Sequence, residues 1–185
     1  MTPDDLSHVI RGRRSSLLID PHKDVDENIV AQLCEVVQWA PNHKRTWPAQ
    51  LAVVRGTARL NLGNAIADVM ASQNEDSRKV DKTRTKYTRS PVVIVVASAK
   101  GDTQTRSREN SFAVAAGVQN MLLLAHQFGL ACLWGSPADG ANTVINELCG
   151  FDTDSLVIGL VYIGWPQSEP PSVERPPTRV HYLND

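Results

Sequence analysis

Apolar positions along the chain alternate between helical spacing and unbroken runs. Thr2-Pro3-Asp4-Asp5 reads as a helix start, with a capping hydroxyl, proline at the first helical position and acids in the first turn. Leu6, Val9 and Ile10 then share a face, and Gly12 ends the helix. After Asp26, which can cap a second helix, Ile29, Val30, Leu33, Val36, Val37 and Ala40 recur at amphipathic spacing up to Pro41. A third helix is predicted from Thr57 to about Ser72, with Gly63 as a weak point. Residues 73–91 are polar and read as helix followed by loop. Arg108 to Phe128 forms a long helix, apolar nearly all round and therefore central to the fold. Its small residues Ala113, Ala115, Ala116 and Gly117 allow another helix to approach closely. Asn142 to Leu148 is a short helix closed by Gly150.

Between the helices lie short apolar runs without alternation. Leu51–Val54, Val92–Ala97, Ala131–Trp134 and Leu156–Gly164 read as strands, the second and fourth buried on both faces. Strands and helices intermix, which predicts an α+β or three-layer α/β/α chain. Residues 166–185 hold five of the eleven prolines. That composition builds no core, so the segment is expected to lie as an arm over a surface, with Arg179 to Leu183 as a potential edge strand. A helix apolar all round together with a proline-rich arm points to an obligate dimer; the alternative is a monomer with that helix at its centre.

Length and charge narrow the function. At 185 residues the chain fits one domain with a tail. Nineteen Lys and Arg against twenty Asp and Glu give a net charge of −1, which argues against a dedicated nucleic-acid binder. The N-terminus shows no signal-peptide pattern, and Gln119, Asn120, His126 and Gln127 interrupt the longest apolar stretch, so neither export nor a membrane span is expected. Cys34, Cys132 and Cys149 are widely spaced and read as free thiols of a reducing cytoplasm.

Sequences for a phosphate-binding glycine loop, a dinucleotide fold, a nucleophile elbow or a metal site are absent, and the five histidines are scattered. What remains is a set of anion-binding and stacking residues. Arg13-Arg14-Ser15 offers two guanidiniums and a hydroxyl suited to a phosphate, although neighbouring arginines are also common as solvated surface charge. Ala40 to Pro48 gathers His43, Lys44, Arg45 and the Trp47 indole in one loop, either a surface turn or a holder for an electron-rich ring or phosphate. Trp134-Gly135-Ser136 stands at the C-terminal end of a strand, where α/β sheets place ligands, but a lone Trp is also an ordinary core residue. Arg175 in the tail is a further cation. The stretch from Arg78 to Arg89 carries excess positive charge and reads as a solvated helix face or a docking surface for an acidic partner.

In order along the chain, these segments resemble the FMN-dependent nitroreductase family, in its compact branch. The resemblance rests on RRS at 13–15, APNHK…P at 40–48, AAGVQNMLLLAHQFGLACLWGSP over the central helix and following strand, and VIGLVYIGWPQ with the trailing ERPP. It implies an α+β, three-layer nitroreductase-like fold with a mixed or antiparallel sheet flanked by helices. Residues 1–165 would form the FMN-binding domain, and 166–185 an arm packed on the partner of an intertwined homodimer. The implied activity is ping-pong hydride transfer from NAD(P)H through flavin N5 to a small-molecule electron acceptor such as a nitroaromatic or quinone. The alternative is a flavin-binding carrier or regulatory protein with little turnover. The resemblance would place Arg13, Arg14, Ser15 and Arg175 on the FMN phosphate and ribityl chain. Trp134, Gly135 and Ser136 would lie beside the ring or ribityl, and His43 would reach the flavin of the other subunit's site. It assigns no catalytic side chain, because the cofactor carries the chemistry. The chain departs from the usual family pattern at Leu17, Arg45, Trp47-Pro48-Ala49 and Gly135.

Overall fold

A computed structural model describes residues 2–170 and 173–183. Among them are six α-helices: α1 (Pro3–Gly12), α2 (Glu27–Glu35), α3 (Ala58–Ser72), α4 (Ser77–Lys86), α5 (Gln104–Gln127) and α6 (Asn142–Cys149). Four strands, β1 (Ala49–Val54), β2 (Val92–Ser98), β3 (Ala131–Gly135) and β4 (Leu156–Gly164), form one antiparallel sheet in the order β1-β2-β4-β3.

The two central strands explain the unbroken apolar runs, since every residue of β2 is buried. Val93 and Val95 face a core shared with Leu62, Ile66 and Met70 of α3. Val92, Ile94 and Val96 face the opposite core, shared with Leu33 of α2 and Val118 and Met121 of α5. Helices therefore cover both faces, which gives the predicted three layers. The pairing register shifts between Val96 and Ala97, so Ile158 of β4 is an extra residue opposite β2. The bulge puts Val157 and Leu160, three apart, on the same face.

The helix starts carry the caps that their sequences predict. Thr2 and Asp5 form a reciprocal capping box, and Asp26 accepts from the Asn28 amide at 2.8 Å. The second helix does not run evenly to Ala40. It tightens into a 3-10 turn over Val36–Trp39, because α5 presses against it. A Cβ at Gly117 would stand 2.5 Å from the Val37 carbonyl oxygen, and Asn120 Nδ2 donates to the Val36 carbonyl at 3.3 Å. Gly63 is likewise a contact point rather than a weak one, since a methyl there would overlap the Arg84 carbonyl of α4. The central helix starts at Gln104, four residues before the predicted Arg108, with the Thr103 hydroxyl capping the Arg106 amide.

The tail departs from expectation. Arg179–Leu183 forms no strand, and every described residue from Val173 to Leu183 is exposed. The segment pairs with neither edge strand of the sheet, β1 or β3. The arm's Pro171, Ser172, Asn184 and Asp185 lie outside the described residues. No described helix is long and apolar enough to cross a membrane.

Candidate functional site

The outer edge of β3 gathers most of the predicted site. Leaving α1, the chain runs along this edge. Ser15 forms an isolated bridge with Cys132, and the Ser16 amide donates to the Cys132 carbonyl at 2.8 Å. Trp134, Gly135 and Ser136 follow Cys132 by two to four residues, roughly 7–13 Å along an extended chain. Arg175 returns from the tail to line, with Arg14 and Ser15, a cleft of about 530 Å³.

The two vicinal arginines do different work. Arg14 Nη1 donates to the Arg13 carbonyl at 3.0 Å and to the Arg11 carbonyl, so part of this guanidinium caps α1. Arg13 has no such commitment. Its Nη1 lies 3.5 Å from Ser15 Oγ, and its Nε is buried without an acceptor. Burial holds the Arg13 guanidinium below its ordinary pKa, and repulsion from Arg175 and Arg14 adds to that. None of the three arginines forms an ion pair among the described residues. A buried orphan donor amid like charges is a site short of negative charge, and a phosphate monoester supplies both charge and acceptors.

Neighbouring groups fit that reading. Burial pushes the Cys132 thiol up to about 12, so it stays protonated and inert beside Arg13. His126, near the end of α5, lies against Gly12, and it is held below the usual histidine range by burial and then by Arg13, Arg14 and His8. It lines a second cleft, of about 600 Å³, with Arg14, Ser16 and Glu169. Neither His126 nor Cys132 was singled out from the sequence.

Trp134 is held at the sheet edge rather than in the core. Its Nε1 donates to the carbonyl of Ile158, the bulge residue, at 3.3 Å, and the indole fits only because residue 159 is glycine. The side chain remains 37% exposed, a surface on which a ring can lie.

His43 lies elsewhere, and it lines neither of the clefts that Arg14 lines. It belongs to an exposed 3-10 turn, His43–Arg45, beside α5. Lys44, Arg45 and Trp47 there have positive φ of 65°, 52° and 49°. Asn42, Thr46 and Asn110 support this arch through side-chain hydrogen bonds. Asn110 was overlooked in the sequence, although the signal was present. It occupies a position on the buried stripe of α5 that continues through Ala113, Val114, Gly117, Val118 and Met121.

Comparison with known proteins places the fold in a family. The model of the Nitroreductase family matches residues 10–165. "Putative NAD(P)H nitroreductase YdjA" of Escherichia coli K12 is 25% identical over 165 residues, covering 89% of each chain. A crystal structure of a nitroreductase-like family protein from Bacillus cereus superposes with a TM-score of 0.83 at 26% identity, covering 96% of this chain and 94% of its own. A Bacteroides fragilis nitroreductase with bound FMN shares the fold at a TM-score of 0.73 and 19% identity, over 99% and 98% of the two chains. With the family model spanning the end of α1 and the whole sheet, this chain belongs to the Nitroreductase family.

Proposed function

We propose that the protein is an FMN-dependent NAD(P)H oxidoreductase of the nitroreductase or quinone-reductase type, working as a homodimer. The observation that carries the reading is the buried, unpartnered Arg13 Nε within a cluster of three guanidiniums and the Ser15 hydroxyl. When bound, FMN supplies hydride exchange at N5, between NAD(P)H and a small electron acceptor.

The chain's own residues do the rest. Arg13, Ser15 and Arg175 hold the phosphate, and Arg14 combines that task with capping α1. Trp134, Gly135 and Ser136 line the ribityl and ring side. His43 of the partner subunit reaches the same flavin, which accounts for its separation from Arg13 within one chain. The part left to the protein would be positioning, which needs no acid or base from its side chains.

A second copy is the occupant that fits the open apolar surface. Trp39 and Phe112 are 76% and 65% exposed on and beside α5. The described tail also leaves Val180, Tyr182 and Leu183 uncovered. Residues 1–165 form the domain in this reading, and 166–185 pack as an arm on the partner. Largely exposed aromatics on this scale are costly in a monomer.

The test is a visible spectrum followed by rapid mixing. The purified protein, or protein incubated with FMN, is expected to show flavin absorbance that bleaches quickly with NADH or NADPH and returns on adding a nitroaromatic or quinone. Protein that stays colourless with FMN overturns the reading. Bound flavin that bleaches only slowly would make the protein a carrier instead.

A further inference from the structure

The arch between α2 and β1 is held by a closed circuit of hydrogen bonds. The Trp47 amide donates to Asn42 Oδ1 at 2.9 Å, and Asn42 Nδ2 donates to Thr46 Oγ1 at 3.0 Å. The Thr46 hydroxyl donates to Asn110 Oδ1 at 2.6 Å, and Asn110 Nδ2 donates to the Ala99 carbonyl at 3.1 Å. The Ala99 amide donates back to the Pro48 carbonyl at 2.8 Å, one residue from the start. The shorter side-chain bonds run in one direction, with a longer contact from the Thr46 hydroxyl back to Asn42 Oδ1 at 3.5 Å, and together they fix the orientation of both amides. Asn110 is 3% exposed and anchors the circuit on α5.

The circuit holds a backbone that does not hold itself. Three non-glycine residues at positive φ cost of order 1–3 kcal/mol each and persist only where the surroundings over-determine them. The segment they shape carries His43, Lys44 and Arg45, none of them in an ion pair among the described residues. It also carries a Trp47 indole that is 57% exposed. The sequence from Val36 to Gln50 contains no acid. Two such unpaired cations, Lys44 and Arg45, on the same arch as an exposed indole suit a planar, electron-poor ligand that bears negative charge.

We propose that Asn42, Thr46 and Asn110 are positioning residues that fix residues 43–47 as a rigid cationic arch, and that this arch selects aromatic electron acceptors carrying a negative charge. The acceptor half rests on the proposed flavin chemistry. The positioning half does not.

Two measurements separate them. Amide hydrogen exchange on the flavin-free protein reads the arch directly. The Trp47 amide is expected to be protected at least about tenfold, with the protection lost in Thr46→Val and restored in Thr46→Ser. Thr46 itself is exposed, and a denaturation transition as cooperative as that of wild type shows that the variant is folded. Steady-state turnover of the FMN-loaded enzyme then compares 4-nitrobenzoate with its neutral isostere 4-nitrobenzamide. Wild type is expected to favour the carboxylate by roughly fivefold in kcat/KM, mainly through KM, and Thr46→Val to lose that preference. Rapid Trp47 exchange in wild type overturns the arch. Equal use of the two acceptors overturns the selection. An enzyme that oxidises no NAD(P)H defeats the flavin reading and with it the selection, while the exchange result still decides the arch.

Discussion

The Arg13 cluster, just after α1, and the 42–47 arch, between α2 and β1, are both polar and opposite in their state of completion. In the arch, the donors of Trp47, Asn42, Thr46 and Asn110 each have an acceptor within the chain. In the cluster, Arg13 keeps a buried nitrogen without one, and its neighbours are like charges. A satisfied network rigidifies, whereas an unsatisfied donor beside like charges is open to an external acceptor. In the proposed reading the two regions have separate tasks: the cluster binds, and the arch presents.

The largest effect is expected at the cluster. Arg13→Ala should weaken FMN affinity by about 1.5–3 kcal/mol, or roughly 10–150-fold, by removing charge-assisted bonds, as read by fluorescence titration. Unchanged affinity would mean that the phosphate lies elsewhere, and the contrast with the arch would dissolve. Next comes the arch's support. Gly117→Ala drives a methyl toward the Val37 carbonyl, and it should cost about 1–3 kcal/mol of stability in chemical denaturation because backbone, not a flexible side chain, must move. The same variant should shift the arch that follows the Val36–Trp39 turn while leaving phosphate affinity near wild type.

A smaller change is expected at the ring side. Gly159→Ala displaces the Trp134 indole from the Ile158 carbonyl, a loss of about 1 kcal/mol visible as altered tryptophan emission and weaker binding of riboflavin as well as FMN. The smallest concerns His126. Its pKa in the folded protein lies below the ordinary 6.5, so as pH falls past 6.5 the unfolded chain takes up the proton first. Stability should therefore be undiminished by this group above that value and decline below it, until the folded form also protonates. His126→Gln should flatten that part of the stability profile, and an unchanged slope would assign it to other groups.

How much of this was legible in the sequence follows from the range of each signal. Caps, strand runs and the Gly150 stop are local, and they stand where Thr2, Asp26, Val92 and Gly150 predict. Gly63 and Gly117 were not legible as contact points, because the neighbours that require them, Arg84 and Val37, come from other segments of the chain. The RRS motif identified the right side chains, yet not the division of labour. Nothing in two adjacent arginines says that one caps a helix while the other is left with a buried free donor. His43 was singled out while its supports were not. A circuit joining Asn42 to Asn110 across 68 positions has no short motif. Arg179 to Leu183 is partly apolar, yet it pairs with neither edge strand, β1 or β3, because pairing depends on distant segments that a local pattern does not encode.

The account rests on a phosphate-directed flavin site at the β3 edge, and equilibrium titration of flavin-free protein with FMN and with riboflavin tests it most directly. FMN is expected to bind at least about tenfold more tightly, with the gap closing in Arg13→Ala. Equal affinity for the two flavins in wild type, or no binding of either, would contradict it.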